Sequence, residues 1–210
     1  MNHTFDFFLD AYRLTPTTLI VLEAVAFIFG ILSVYYAKKA NILVYPTGLI
    51  CTVITVYILN INEYYGDMMM NFYYSVMSIY GWWNWARRKD NKLIVPISRT
   101  NKKEKIIGVF FFIVTMIVTY VVYRVYNYDI KIPNYIDVVT SGIFFTAMWY
   151  MANKKLENWT LWIIGDIITI PLYAYRGLGM LSLQYLIFTI LAIQGYIQWK
   201  KSLNNNQQTA

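Results

Sequence analysis

The stretch ENWTLWIIGDIITIPLY, residues 157–173, sets the terms on which the chain is read. It is long and apolar enough for a membrane-spanning helix, yet Asp166 stands near its middle. Trp159, Trp162 and Asp166 follow the spacing i, i+3, i+7 and share one helical face. A carboxylate at that depth is costly in hydrocarbon and belongs against a cavity or a partner. Asp166 therefore reads as part of a functional site; the plainer alternative is a protonated carboxyl bonded to another helix.

The rest of the chain agrees that the solvent is lipid. Of 210 residues, 58% are hydrophobic and 14% charged, with mean hydropathy +0.42, whereas soluble domains carry about 25% charged residues. Apolar runs of about 20 residues recur throughout. They define seven spans, about 17–37, 41–59, 66–86, 105–126, 135–152, 158–175 and 178–199. The fold class is an all-α polytopic membrane protein. Its 20 tyrosines, 12 phenylalanines and 7 tryptophans exceed what interfacial belts need. Cys51 is the sole cysteine, so no disulfide framework exists. The start, MNHTFDFFLDAYRLTP (1–16), lacks the basic n-region of a signal peptide. The tail, residues 200–210 ending NNNQQTA, reads as polar and disordered.

Charge distribution gives an orientation. Lys38 and Lys39, the eight basic residues between 87 and 105, Lys154 and Lys155, and Lys200 and Lys201 fall on one side. Arg13, Arg124, Lys131 and Arg176 fall on the other, 4 of the 18 basic residues. The positive-inside rule then puts the N-terminus outside and the C-terminus in the cytoplasm. This asymmetry accounts for the net charge of +7 without nucleic acid.

The chain also repeats itself. GWWNW (81–85) and GYIQW (195–199) are both Gly-x-x-x-Trp, and both precede basic residues. KKANILVYPTG (38–48) and KKLENWTLWIIG (154–165) share the order Lys-Lys, Asn, aromatic, Gly. The expected units are a first three-helix repeat, 17–86, and a second, 135–199, joined by a basic loop and linking helix, 87–134. An odd joining helix makes the two units parallel, a transporter plan with its site at their interface.

Enzyme chemistry finds no foothold. No Walker loop, dinucleotide fingerprint, His-Glu-x-x-His or nucleophile elbow is present, and the lone His3 lies near the N-terminus. No cofactor or metal is expected. What remains are polar and aromatic groups within spans: Glu23; Tyr45, Thr47, Cys51 and Thr52; Asn71, Tyr74 and Ser78 on one face; Trp159, Trp162 and Asp166; and Gln184 and Tyr185. Such a lining suits a small, flat, polar solute. A cationic one gains about 0.5–2 kcal/mol per aromatic face. The plainer readings are an interfacial anchor for Trp159, helix packing for the tyrosines, and interhelical bonding for Asn71 and Gln184. Pro46 and Pro171 read as helix starts or bends, and Gly48, Gly81, Gly165 and Gly195 as close packing points.

ENWTLW with LYAYRG, IYGWWNW and LAIQGYIQW resembles the PnuC family of bacterial vitamin transporters, and the likeness covers nearly all seven spans. The resemblance implies a plan similar to SWEET-type sugar carriers. It also implies facilitated diffusion of nicotinamide riboside across the inner membrane, trapping by a cytoplasmic vitamin kinase, and a possible homotrimer. Sister members carry thiamine or riboflavin. The family's Trp-x-x-x-Asn signature falls on Trp162 and Asp166, with Asp in place of Asn. The family's span-three Gln falls on Asn71, a shorter amide, while Gln184 and Trp159 fit the general pattern.

The substrate-binding candidates are thus Trp162, Asp166, Asn71, Trp159, Tyr74, Gln184, Tyr45 and Glu23. An Asp at the Asn position adds charge and removes an amide donor. That change suits thiamine, while nicotinamide riboside, whose pyridinium is also cationic, leads on the resemblance. A proton relay through Asp166 or Glu23, and a vitamin receptor, are the remaining alternatives.

Overall fold

A computed structural model of the chain describes residues 15–61, 65–89, 92–93, 95–125, 130–175 and 179–208. The segment before Thr15, with His3 and Arg13, lies outside them, as does Arg176. Seven long helices follow one another: α1 Thr17–Lys38, α2 Val44–Ile61, α3 Tyr65–Ala86, α4 Lys102–Val125, α5 Ile132–Ala152, α6 Glu157–Tyr175 and α7 Gly179–Gln208. The expected seven spans are therefore present.

Local chemistry sets the ends. Pro133 stands in the first turn of α5, where a missing N–H costs nothing. Asn101 and Glu104 cap α4 reciprocally: Glu104 accepts the Asn101 N–H (2.8 Å) and Asn101 accepts the Glu104 N–H (2.9 Å). That cap starts α4 at Lys102, three residues before the apolar run. The tail differs from expectation, because α7 continues to Gln208. Residues 200–208 hold no Gly or Pro to stop it, and Leu203 packs against the core.

Four helices are long and apolar enough to cross a membrane on composition alone: α1, α2, α4 and α7 over Gly179–Asn205. The others carry more polar and aromatic groups, and α5 buries much of its length against neighbours. Consecutive helices pack on one another within α1–α2–α3 and within α5–α6–α7, and α4 packs on α5. Two further contacts, α1 with α7 and α3 with α5, join the two groups. The outer side of α4 leaves Ile106, Val109, Phe110, Ile113 and Ile117 exposed, as a lipid-facing helix requires.

The turns α1–α2 and α5–α6 are built alike. In the first, the N–H groups of Ala40, Asn41, Val44 and Tyr45 bond the carbonyls of Ala37, Tyr36, Asn41 and Ile42. In the second, those of Lys154, Lys155, Asn158 and Trp159 bond Met151, Tyr150, Lys155 and Leu156. Each bond recurs 114 positions on, 40 becoming 154. Ala40 and Lys154 share a positive φ of 51°. The Lys-Lys pairs at 38 and 154 are therefore offset by two residues from the register of the backbone.

Between α3 and α4, Arg88–Lys89 and Lys92–Leu93 form a minimal antiparallel pairing. The following segment docks on the α5–α6 turn, with Ser98 donating to the Lys154 carbonyl (3.0 Å) and accepting the Leu156 N–H (2.9 Å). Thr100 N–H reaches Glu157 (2.9 Å), and Lys155 pairs with Glu104 at 2.7 Å. The basic loop is thus pinned to the end of the bundle where the α1–α2 and α5–α6 turns also lie.

Candidate substrate site

The sequence-nominated residues fall into two groups at different depths. Tyr45 and Trp159 belong to the aromatic core at the basic end, and both are essentially fully buried. Tyr45 meets Trp85 edge-on (5.0 Å, 85°), and Trp159 meets Trp199 edge-on (5.5 Å, 88°). Such pairs contribute about 0.5–1.5 kcal/mol beyond their area. Each ring lies over a glycine: a β-carbon at Gly81 would stand 2.3 Å from the Tyr45 ring, and one at Gly195 2.7 Å from Trp159. The Gly-x-x-x-Trp motifs therefore encode a slot and, four residues later, the ring that closes it. Trp159 is interior, although it sits in the first turn of α6.

The second group surrounds Asp166, one turn beyond Trp162 on α6. Asp166 is 1% exposed, and its Oδ1 has no hydrogen-bond partner among the described residues. A carboxylate oxygen hidden without a partner costs several kcal/mol, on the order of the penalty for an unmet buried polar group. Beside it, Trp162 stacks on Phe144 (5.3 Å, 27°), and Phe144 stacks on Tyr185 (6.0 Å, 24°). Tyr74 approaches Trp162 from α3 at 6.3 Å. The site is thus bounded by α3, α5, α6 and α7.

Asn71 lies one turn before Tyr74 and Ser75 on α3, and its carbonyl accepts the Ser75 hydroxyl (3.0 Å). Gln184, the residue before Tyr185 on α7, turns toward α1: its Nε2 would stand 3.3 Å from a β-carbon at Gly30. Glu23 is half-buried on α1, seven residues before Gly30, about 10 Å along the helix axis.

Phe144 was missed by sequence reasoning. It is a plain apolar residue in an apolar span, and only its seat on Gly165 places it in the stack with Trp162. Two clefts lie elsewhere: one of about 280 Å³ at the basic end between Arg87, Glu104 and Lys155, and an apolar one of about 330 Å³ beside Ile132 and Ile168.

Seven long helices, four of them apolar enough to cross a membrane, around a buried carboxylate and an aromatic stack define a polytopic membrane protein with a polar interior site. Comparison with known proteins makes the assignment specific: residues 20–201 match the nicotinamide mononucleotide transporter family, to which the chain belongs. It is 24% identical over 205 residues to the nicotinamide riboside transporter PnuC of Escherichia coli strain K12, covering 86% of this chain and 85% of that one. To the nicotinamide riboside transporter PnuC of Neisseria mucosa it is 29% identical over 192 residues, covering 86% and 72%. A crystal structure of the vitamin B3 transporter PnuC superposes with a TM-score of 0.69 at 23% identity, covering 98% of this chain and 94% of that one. That likeness establishes the fold. The relatives are transporters, not enzymes.

Proposed function

We propose that the chain carries nicotinamide riboside across the bacterial inner membrane by facilitated diffusion. Its site is formed by Trp162, Asp166, Tyr74, Asn71 and Gln184, with Phe144 and Tyr185 completing the aromatic wall. The observation that carries this reading is the unpartnered carboxylate oxygen of Asp166 beside the Trp162–Phe144 stack. A flat pyridinium satisfies both at once, through ring faces and through opposite charge.

The family description speaks of the mononucleotide, which differs from the riboside by a phosphate. All 18 Lys and Arg residues lie in loops or near span ends, so a phosphate at mid-span would meet Asp166 with no cation to balance it. Electrostatics therefore favours the riboside.

Units 17–86 and 135–199, with 87–134 as linker, are proposed as parallel repeats that rock about this site. Support comes from the recurring turn bonds and from the paired contacts of α1 with α7 and α3 with α5. The N-terminus is outside and the C-terminus cytoplasmic on the charge count, and a cytoplasmic kinase traps the riboside.

One departure favours a second substrate: Asp166 stands where the riboside signature has Asn, and thiamine is also a flat cation. Calorimetric titration of the purified protein with nicotinamide riboside, thiamine and riboflavin decides between them. Asp166→Asn is expected to weaken thiamine more than nicotinamide riboside. Equal affinities in wild type and variant for every vitamin would remove Asp166 from the site.

A further inference from the structure

We infer that Trp85 and Trp199 are the two halves of a single gate at the basic end of the bundle. The inference rests on the alternating-access reading above. Trp85, at the end of α3, donates its indole N–H to the carbonyl of Ala152, the last residue of α5 (3.2 Å). Trp199, on α7, donates its own to the carbonyl of Ala37 in the last turn of α1 (3.1 Å). Both bonds cross from one three-helix unit to the other, in opposite directions. Carbonyls in a last helical turn lack intrahelical donors, so each is a natural receptor for such a hand.

The contacts around the two rings sort cleanly. Each indole is held edge-on by a ring of its own unit, Tyr45 for Trp85 and Trp159 for Trp199. Each is also held by its glycine slot, since Gly81 and Gly195 seat those supporting rings. What crosses between units at the rings is the pair of N–H bonds, the Lys154 ammonium over the Trp85 ring (4.4 Å), and the contact of the indoles with each other, 6.0 Å between centroids. Rigid-body separation of the units keeps every supporting contact and breaks only the crossing ones. Because the two indoles touch, neither bond can be withdrawn without uncovering the other. A second pair of crossings rims the first: Lys38 donates to Gln194 (2.8 Å), and Tyr80 to Asn153 (3.4 Å).

The gate is not quite symmetric. Asn84 also donates to the Ala152 carbonyl (2.9 Å). The Ala37 carbonyl otherwise meets backbone N–H groups of its own turn, those of Ala40 and Lys39, and among the described residues no second side-chain donor from the other unit. Loss of the Trp199 donor therefore leaves its crossing weaker than loss of the Trp85 donor leaves the other.

The test places spin labels at Leu43 and Thr160, exposed residues at the starts of α2 and α6, in a Cys51→Ala background. Trp199→Phe is expected to raise the long-distance population by about five- to tenfold, the scale of one lost buried hydrogen bond. Trp85→Phe is expected to act in the same direction and less. Unchanged distances in variants that unfold at a lower temperature would reduce both residues to packing and overturn the gate. Should either variant not fold, Lys38→Cys with Gln194→Cys, bridged by a reversible dithiol reagent, holds the rim shut. Uptake of nicotinamide riboside into vesicles is expected to stop on bridging and return on reduction, and full-rate uptake while bridged would overturn the gate. An unbridged protein that moves no nicotinamide riboside would count against the substrate alone, since the label distances still read the gate.

Discussion

Phe144 sits on Gly165 so closely that a β-carbon there would stand 2.3 Å from its Cε1. This contact seats the ring of α5 against α6 one residue before Asp166 and gives Trp162 its stacking partner. Gly165→Ala should therefore displace Phe144 and cost about 1–3 kcal/mol of stability, the usual range for overpacking. Thermal unfolding in detergent measures it. Adding Phe144→Leu should recover the melting temperature without recovering vitamin affinity, because the space returns and the stacked ring does not.

Trp162 supplies one face of the proposed site. Trp162→Ala should cost about 1–3 kcal/mol of nicotinamide riboside binding, through lost stacking area and cation–π attraction. Trp162→Phe should cost less. Calorimetry gives both numbers, and wild-type affinity in Trp162→Ala would place that ring outside the site.

Ala40 holds φ at 51°, a left-handed conformation that costs a residue with a β-carbon about 1–2 kcal/mol. Glycine adopts it freely, at the expense of a more flexible unfolded chain. Ala40→Gly should stabilise the fold by about 0.5–1 kcal/mol, read as a higher melting temperature. Ala24→Gly, on an exposed face in the middle of α1, should do the opposite by about 1 kcal/mol.

Partial burial tends to raise the Glu104 carboxyl, but the hydrogen bond from Lys155, the Asn101 N–H and the Lys155 charge together leave it below the ordinary value of 4.5. A carboxyl lowered on folding lends stability that is complete above its unfolded value and lost as pH falls through the folded one. Docking of the basic loop should therefore loosen in acid. Hydrogen exchange at the Leu156 N–H, which bonds Ser98, reports it. Exchange in wild type, corrected for its intrinsic pH dependence, should gain on that in Glu104→Gln as the medium goes from about pH 6 to about pH 4. Parallel profiles would show that the ion pair does not hold the loop.

Much of this was legible before any coordinates. Apolar run length gave seven helices, and the charge tally gathered the basic loops at one end. Asp166 drew notice because a carboxylate stands out against hydrocarbon. Phe144 did not, because lipid is as apolar as a protein interior, and an apolar span reveals nothing about which of its faces meets a neighbour. For the same reason the aromatic residues Tyr45 and Trp159 looked like site lining or interfacial anchors, while the fold packs both into the core at the basic end. The extension of α7 was hidden by composition: asparagine-rich sequence suggests disorder, yet nothing in it interrupts a helix already under way.

The amino-acid sequence by itself determined the membrane-spanning class, the number of helices and the glycine–tryptophan pairs, since each follows from local composition and spacing. Only the tertiary structure decided that those tryptophans bond across to the opposite group of helices, and that an aromatic stack stands beside Asp166. Those relations join residues far apart in the chain, and no local pattern specifies which carbonyl an indole N–H will meet.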